Sequence, residues 1–372
     1  MKIGVPKEIK IHEYRVGLVP SSVKELINNG HHVFVETKAG NGIGISDADY
    51  KAAGAEILNS ASEIYGTTDL IVKVKEPQPE ECKMLSKGQI IFTFLHLASD
   101  AVQTKLLVES KCIAIGYETV TDQYGGLPLL APMSAVAGRM SIQSGAHCLE
   151  RNQGGSGILL GGVAGVAPGK VLVIGGGVAG SNAIRMAIGI GAQVSVLDRS
   201  LHRINELVTQ FGNLLTTLFS NHFNLTEQIK KADLVIGSVL VPGAKAPKII
   251  TREMVRSMRP GSVIVDIAID QGGCSETSYP TTHVDPIYIE ENVVHYCVTN
   301  MPGAVARTST FALNNATLPY VLELANKGWQ RALSQDGYFA QGLNIFQGEV
   351  IYPAVAAALG YSLLPLRDIV GG

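Results

Sequence analysis

The stretch Val171-Leu-Val-Ile-Gly-Gly-Gly-Val-Ala-Gly180 decides the fold of this chain. Its first four residues are apolar and mostly β-branched, which predicts a buried strand. The glycines at 175, 177 and 180 follow at once with the spacing G-x-G-x-x-G, and residues 181–190 then have the pattern of a helix. A strand, a glycine-rich turn and a helix in this order are typical of a dinucleotide-binding unit.

Each glycine of this turn has its own physical reason. Gly175 permits the tight turn, Gly177 lets the backbone approach a pyrophosphate, and Gly180 lets the helix pack close to the strand. The start of the helix directs unpaired N–H groups and a positive dipole end toward the phosphates. We therefore predict that Gly175, Gly177 and Gly180 contact a dinucleotide.

A carboxylate after the next strand favours NAD as that dinucleotide. The apolar run 193–197 ends in Asp198, 23 residues after Gly175. A carboxylate at about this distance binds the ribose hydroxyls and repels the 2′-phosphate of NADP. Arg199 and Arg203 keep NADP open as an alternative, because either cation could meet a phosphate.

Similar strands extend in both directions from the turn and predict an α/β fold. Because they are apolar throughout and alternate with helical patterns, each set forms a parallel sheet buried on both faces. We expect two doubly wound, Rossmann-like parallel-sheet domains with a cleft between them. The predicted strands are residues 2–5, 32–35, 70–74, 90–95 and 112–116 in the first set, and 171–174, 193–197, 234–238, 263–269 and 293–299 in the second.

A helical pattern over residues 132–151 and a glycine-rich loop over 154–169 separate the two sets. Helical patterns resume after Pro302, at 308–326 and 328–335, and need a sheet to pack on. We expect these C-terminal helices to complete the first domain. The predicted domains are 1–130 plus 307–372 for the substrate and 131–306 for NAD.

Composition narrows the class of protein. The chain has 372 residues, of which 46% are hydrophobic, and a net charge of −2 with both signs mixed along it. This balance argues against a nucleic-acid or membrane partner. The start has no signal-peptide pattern, and five scattered cysteines favour reduced thiols, so we expect a cytoplasmic protein.

Polar residues at strand ends predict the chemistry, because ligands of doubly wound sheets bind beyond the carboxyl ends of the strands. Arg15, Lys75 and His96 follow three strands of the first domain, and Asp270 follows a strand of the second. Two cations suit a carboxylate, and a histidine suits a group that gains or loses a proton. With a nicotinamide nearby, these residues predict a dehydrogenase of a small acid.

Each of these residues also has a plainer explanation. Lys75 could be a solvated strand-end residue, His96 a structural histidine, and Asp270 a cap of the next turn. Their shared position at strand ends is what favours the catalytic interpretation.

With these residues in place, the sequence resembles the alanine dehydrogenase family over essentially the whole chain. The Asp270-Gln-Gly-Gly-Cys-x-Glu-Thr-Ser segment is especially specific. The other matching segments are residues 4–8, Glu13-x-Arg15, 73–77, 93–97, 131–139, 175–180, 242–247, 266–274 and 300–304.

The resemblance implies NAD-dependent oxidative deamination of L-alanine to pyruvate and ammonium, and the reverse amination. Arg15 and Lys75 would hold the substrate carboxylate and carbonyl oxygen, His96 would act as acid and base, and Asp270 would assist proton transfer. It also implies a homohexamer. The implied NAD contacts beyond the three glycines are Ser134, Val178, Ala179, Asp198, Arg203, Ser220, Val239, Leu240, Ile267, Ala268, Ile269, Asp270, Val298, Thr299, Asn300 and Met301.

The chain departs from the family pattern at two places. Tyr279 stands where many members carry an arginine that contacts the cofactor, which puts that contact in doubt. Some members have a metal-like Glu and His pair in the C-terminal helix. Here the corresponding residues are Glu323 and Lys327, so we expect no metal there.

Two other functions stay open at this point. The family includes the NAD-binding module of proton-pumping transhydrogenase, which needs a membrane partner chain, but such a module would not require Arg15, Lys75, His96 and Asp270 together. A non-catalytic NAD sensor is the other alternative. It predicts that replacing His96 or Lys75 leaves the biological role intact.

Overall fold

A computed structural model describes residues 1–239 and 246–370. The strands of the described chain are β1 (Lys2–Val5), β2 (His32–Glu36), β3 (Glu56–Leu58), β4 (Leu70–Val72), β5 (Ile90–Thr93), β6 (Ile113–Gly116), β7 (Lys170–Ile174), β8 (Gln193–Asp198), β9 (Leu215–Phe219), β10 (Leu234–Gly237), β11 (Val263–Asp266), β12 (Ile287–Glu290), β13 (Val293–Tyr296), β14 (Leu343–Phe346) and β15 (Glu349–Val350).

The helices alternate with these strands over most of the chain. They are α1 (Pro20–Asn28), α2 (Asp47–Ala52), α3 (Ala61–Thr67), α4 (Pro79–Met84), α5 (Ala101–Ser110), α6 (Ala131–Cys148), α7 (Val178–Gly189), α8 (Leu201–Phe211), α9 (His222–Ile229), α10 (Arg252–Arg256), α11 (Ala306–Lys327), α12 (Trp329–Gln335), α13 (Gly337–Ala340), α14 (Pro353–Leu359) and α15 (Arg367–Val370).

The chain divides into two compact units. The first comprises Met1–Met133 and Val305–Gly372, and the second comprises Ser134–Ala304. Each unit contains one sheet with helices around it, so the expected α/β fold with two doubly wound parallel sheets is confirmed.

The sheet of the first unit has the order β15-β14-β6-β5-β4-β1-β2-β3. Strands β1 to β6 pair in parallel, whereas β14 runs antiparallel to β6 and β15 antiparallel to β14. The order reverses at β1, which has β2 on one side and β4 on the other. The loops after β1, β4 and β5 therefore leave neighbouring strands at the same edge of the sheet, which is where such folds bind ligands.

The C-terminal segment completes this first unit. Ile345 of β14 and Val355 of α14 share one apolar cluster with Ile71 and Ile91 of the central strands. The expected return of C-terminal helices is therefore confirmed, but the segment also adds two strands to the sheet. Those antiparallel edge strands were not predicted.

The sheet of the second unit has the order β12-β13-β11-β10-β7-β8-β9. All its pairs are parallel except the antiparallel edge pair of β12 and β13. The order reverses at β7, which lies between β10 and β8. The glycine-rich turn follows β7 directly, so it lies at the switch point where doubly wound sheets bind ligands.

Three predicted strands of this sheet were too long, and those over residues 234–238 and 293–299 end at Gly237 and Tyr296. The expected strand over residues 263–269 ends at Asp266, because the side chain of Asp266 accepts the main-chain N–H of Ala268 and starts a 3₁₀ turn over Ile267–Gln271. This turn carries Asp270. Separately, none of the helices in the described residues is both long enough and apolar enough to cross a bilayer.

Candidate active site

The glycine-rich turn is closed by two tight contacts. Gly175 has a φ of 95°, and a Cβ there would lie 2.8 Å from the carbonyl oxygen of Ser238. A Cβ on Gly180 would lie only 1.9 Å from the carbonyl oxygen of Gly175. The Ser238 hydroxyl donates to that same oxygen at 2.8 Å. A larger residue at 175 or 180 would therefore force the turn open.

Gly177 differs from these two, because the protein itself leaves space around it. A Cβ on Gly177 would meet no atom within 4 Å, and its φ of −63° is open to any residue. Gly177 precedes α7, whose first N–H groups have no partner within the helix. The space at this helix start fits a pyrophosphate, so the residues present fit a dinucleotide.

Asp198 connects the end of β8 to the turn. One of its carboxylate oxygens accepts the main-chain N–H of Gly176 at 2.7 Å, and the other accepts that of Ser200 at 2.8 Å. The side chain of Asp198 is therefore held beside the turn, where a carboxylate can bind ribose hydroxyls.

Arg203 packs against the same turn. Its Nε donates to the carbonyl oxygen of Gly176 at 2.6 Å, Nη2 donates to the Ser181 hydroxyl, and Nη1 pairs with Glu206. Three of its nitrogen atoms are thus engaged in bracing the turn. This weakens the alternative in which Arg203 serves as a partner for a 2′-phosphate.

Helix α6 lies directly against the start of α7. A Cβ on Gly138 would lie 2.0 Å from the carbonyl oxygen of Ala179, so the two backbones touch. Ser134 is four residues before Gly138 and therefore on the same face of α6. This packing places Ser134 on the face of α6 that meets the cofactor turn.

Other predicted cofactor residues follow the neighbouring strands. Val239 follows β10 next to the switch point, and Ser220 follows β9, with its main-chain N–H donating to Asp198 at 2.9 Å. Leu240 and most of the matching segment 242–247 lie outside the described residues.

The loop that carries Asp270 is organised by Asp266. Asp266 is fully buried, and its carboxylate accepts the main-chain N–H groups of Ala268, Cys274 and Ser275. It also accepts the Cys274 thiol at 3.5 Å. Asp266 therefore fixes Ile267, Ala268 and Ile269, and its role was missed in the sequence, where it lies inside the predicted strand 263–269.

Asp270 itself is exposed and meets Asn300. Its Oδ1 accepts the main-chain N–H of Asn300 at 3.3 Å. Asn300 has a φ of 58°, an uncommon left-handed conformation for a residue other than glycine. The loops after β11 and β13 thus bring together two of the predicted site residues. The neighbours Val298 and Met301 are buried, and Thr299 lies between Val298 and Asn300.

In the first unit, Arg15 is held by Glu13. The guanidinium donates from Nε and Nη2 to the two carboxylate oxygens of Glu13, at 2.7 and 2.6 Å. Its Nη1 lies 3.1 Å from the sulfur of Met133. Only 2% of Arg15 is exposed, so this cation is buried together with its counter-ion.

Lys75 lies in the loop after β4, with its side chain largely covered. Its ammonium is 3.8 Å from Glu76, and its carbonyl oxygen accepts the Thr93 hydroxyl at 2.9 Å. Its main-chain N–H donates to Glu8 at 3.3 Å. Its backbone is therefore fixed by Thr93 of β5 and by Glu8 of the loop after β1.

His96 stands in a strained backbone conformation. Its φ is 51°, in the left-handed region, and its main-chain N–H donates to Glu118 at 2.6 Å. Its ring is exposed and stacks on that of Phe94, with centroids 5.7 Å apart. Backbone strain of this kind is concentrated at functional sites, which favours a functional interpretation of His96.

A buried ion network lies behind Lys75 and was missed in the sequence. Lys73 is fully buried and donates to Glu8 at 3.1 Å and to Glu81 at 2.7 Å. Burial raises the pKa of Glu8, although the neighbouring Lys73 opposes that rise. Burial alone would lower the pKa of Lys73, but the two carboxylates outweigh it and the pKa is raised. The two carboxylates therefore keep the side chain of Lys73 charged in the core.

Two departures from the family pattern have clear structural partners. The Tyr279 ring stacks on that of Tyr288 at 3.7 Å, and Glu323 pairs with Lys327 at 2.5 Å. Among the described residues, no three His, Cys, Asp or Glu side chains are placed to hold a metal ion.

Comparisons with known proteins agree with this arrangement. Residues 4–137 match the N-terminal domain and residues 141–353 the C-terminal domain of the alanine dehydrogenase/PNT family. The alanine dehydrogenase of Halomonas elongata is 57% identical over 371 residues, with 100% of both chains covered. That of Mycolicibacterium smegmatis is 52% identical, with 99% of this chain and 98% of the relative covered.

Solved structures give the same result. A structure of L-alanine dehydrogenase has a TM-score of 0.94 and 51% identity, covering 97% of this chain and 99% of its own. A transhydrogenase from Sinorhizobium meliloti has a TM-score of 0.81 but only 26% identity, covering 95% of this chain and 100% of its own.

Proposed function

The chain belongs to the alanine dehydrogenase/PNT family, and from that membership we propose that it interconverts L-alanine and pyruvate with NAD as cofactor. One observation carries the proposal. Arg15, Lys75 and His96 follow three neighbouring parallel strands, β1, β4 and β5, at the same edge of one sheet. This is the combination of charges that a small amino acid requires.

The two cations divide the recognition of the substrate. The guanidinium of Arg15 suits a carboxylate through the N–H groups that do not donate to Glu13, and Lys75 offers a compact ammonium that suits a carbonyl oxygen. Glu13 and Glu76 accompany these cations, so each positive charge is partly compensated before the substrate binds. Substrate analogues without a carboxylate should bind poorly, because they offer no negative charge to these two cations.

His96 and Asp270 move protons in this proposal. When bound, NAD⁺ supplies the acceptor for the hydride that leaves the α-carbon of alanine. Water then adds to the resulting imine, and the carbinolamine collapses to pyruvate and ammonium. His96 takes or gives the proton at the substrate nitrogen or oxygen, and Asp270 assists the transfers around water and ammonia.

The second unit holds the cofactor in this proposal. The open start of α7 at Gly177 receives the pyrophosphate, and Asp198 accepts the ribose hydroxyls. Ser134, Val178, Ala179 and Ser220 are proposed as further contacts, together with Arg203, Val239, Leu240, Ile267, Ala268, Ile269, Val298, Thr299, Asn300 and Met301. The division into a substrate domain, 1–130 plus 307–372, and an NAD domain, 131–306, belongs to the same proposal.

The assembly and the location of the protein belong to the same proposal. We propose that the protein is a cytoplasmic homohexamer that acts in L-alanine catabolism. We propose no nucleic-acid partner, no membrane partner and no metal. A transhydrogenase module is the weaker alternative, because identity to the transhydrogenase structure is 26% against 51% for L-alanine dehydrogenase.

A substrate panel tests the proposal. Purified protein is mixed with NAD⁺ and L-alanine, L-lactate or L-glutamate, and NADH is followed by absorbance. We expect NADH with L-alanine, and oxidation of NADH with pyruvate and ammonium. Turnover of lactate or glutamate instead would overturn the substrate, and turnover of none of them would overturn the enzyme class.

A further inference from the structure

We propose that Glu8, Glu13 and Glu118 are positioning residues. Each accepts a hydrogen bond from the main-chain N–H of one substrate-binding residue and so fixes that residue's backbone. The inference rests on the proposed function, because it takes Arg15, Lys75 and His96 as those substrate-binding residues. It adds a role for carboxylates that the reaction itself does not use.

The same contact occurs at all three residues. The main-chain N–H of Arg15 donates to Glu13 at 3.1 Å, that of Lys75 donates to Glu8 at 3.3 Å, and that of His96 donates to Glu118 at 2.6 Å. The three loops follow different strands of one sheet, and the contacts at Lys75 and His96 join residues that lie far apart in the chain.

Each glutamate makes a second contact that sharpens the first. Glu13 accepts the guanidinium of Arg15 through both carboxylate oxygens. Glu8 also accepts the N–H of Val74 at 2.7 Å, and Glu118 that of Leu95 at 3.2 Å. Glu8 and Glu118 therefore each accept two consecutive main-chain N–H groups. Two such contacts fix the orientation of the loop backbone as well as its position.

Burying a carboxylate costs free energy, so these glutamates are expected to have a specific structural role. Glu8 and Glu13 are each 6% exposed, and Glu118 is partly buried. A buried carboxylate loses its hydration and is tolerated only where hydrogen bonds or cations replace the water. Here the replacement comes from the N–H groups of the loops and from Lys73 and Arg15.

The contact has most to do at His96. A left-handed backbone is unfavourable for a residue with a side chain, so it must be held by its surroundings. Glu118 accepts the main-chain N–H of His96, and the carbonyl oxygen of His96 accepts the hydroxyl of Ser99 at 2.8 Å. Catalytic groups lose about 10²-fold in rate when misplaced by about 1 Å, so loss of the Glu118 contact should reduce turnover.

A double-mutant cycle on Glu118 and His96 tests the inference. We expect Glu118→Ala to lower kcat at least tenfold with a smaller change in KM, and His96→Ala to lower kcat about 10²-fold. If Glu118 acts through His96, the double variant should resemble His96→Ala alone. Independent effects would instead multiply to about 10³-fold or more.

Two further variants keep the cycle decisive. Glu118→Gln retains an oxygen acceptor and should recover part of the lost kcat; it replaces Glu118→Ala in the cycle if the latter does not fold. Glu109→Ala removes an exposed carboxylate paired with Lys105 and should leave kcat unchanged. The same cycle on Glu13 and Arg15, measured as kcat/KM for L-alanine, should also be non-additive.

The outcomes separate this inference from the proposed function. If His96→Ala keeps its turnover, the role of His96 is wrong and the positioning role falls with it. If His96→Ala loses turnover but Glu118→Ala does not, or if the two losses multiply, the positioning role alone is overturned.

Discussion

The carboxylate of Asp198 accepts the main-chain N–H of Gly176 at 2.7 Å, so the end of β8 is tied to the cofactor turn. We predict that Asp198→Gly weakens NAD binding about tenfold or more, because hydrogen bonds to a charged group contribute about 1.5–3 kcal/mol. The loss of negative charge should also narrow the preference for NAD over NADP. Titration calorimetry with both dinucleotides measures the two effects.

The matched control for this change is Glu227→Ala, which removes an exposed carboxylate from α9 of the same unit. It should leave NAD affinity as it is. An unchanged NAD affinity in Asp198→Gly would contradict the assignment of Asp198.

Two glycines of the turn should respond differently to the same substitution. Gly180→Ala would bring a Cβ to 1.9 Å from Gly175, and overpacking of this kind costs about 1–3 kcal/mol of unfolding free energy. Gly177→Ala meets no protein atom within 4 Å, so stability should be kept while NAD affinity falls. Denaturant unfolding and NAD titration of both variants separate the two roles.

Gly189 provides the control at the other end of α7, where a Cβ also meets nothing within 4 Å. Gly189→Ala should leave NAD affinity unchanged and raise the unfolding free energy by up to about 1 kcal/mol, since alanine favours a helix over glycine. Equal losses of NAD affinity at 177 and 189 would refute the role of Gly177.

His96→Ala should lower kcat by about 10²-fold or more, because it removes a group that exchanges protons with the substrate. The fold should be kept, since the ring is exposed and its stacking on Phe94 is a surface contact. Steady-state kinetics in both directions measure the loss. His147→Ala, which removes an exposed histidine on α6, should have wild-type kinetics, and near-normal turnover of His96→Ala would contradict the assignment.

Lys73→Met should destabilise the first unit in a pH-dependent manner. Removing the cation leaves Glu8 and Glu81 uncompensated, which costs about 3–5 kcal/mol near neutral pH. The pKa of Glu8 is already raised by burial, and without Lys73 it should rise further, so the folded state binds a proton more readily than the unfolded state.

The unfolding free energy of Lys73→Met should therefore increase as the pH falls from 8 toward 5. Denaturant unfolding at several pH values measures this trend relative to wild type. A loss that stays the same at every pH would show that the carboxylates are not the cause.

The central strands and the cofactor turn could be predicted because their signals are local. Residues 171–174 and the buried run 90–92 have apolar side chains on both faces, as interior parallel strands require. The edge strands could not be predicted in the same way. β3 has three residues and β15 two, and β12 is only partly buried, so short and mixed patterns hid them.

The site was predictable only in part for a similar reason. Lys75 and His96 could be found because each follows an apolar run, and Arg15 because it lies in the loop after the first strand. The left-handed backbone of His96 and its contact with Glu118, 22 residues away, depend on tertiary packing that no local pattern records. The role of Asp266 could not be predicted, because apolar residues lie on both sides of it and the whole run 263–269 resembles one strand.

In the proposed reaction, hydride passes from the α-carbon of L-alanine to NAD⁺, and deuterium at that carbon traces the transfer. The protein is incubated with NAD⁺ and L-[2-²H]alanine, and the NADH is examined by mass spectrometry. We expect one deuteron per NADH formed, with pyruvate and ammonium in equal amounts. NADH without deuterium, or no NADH at all, would contradict it.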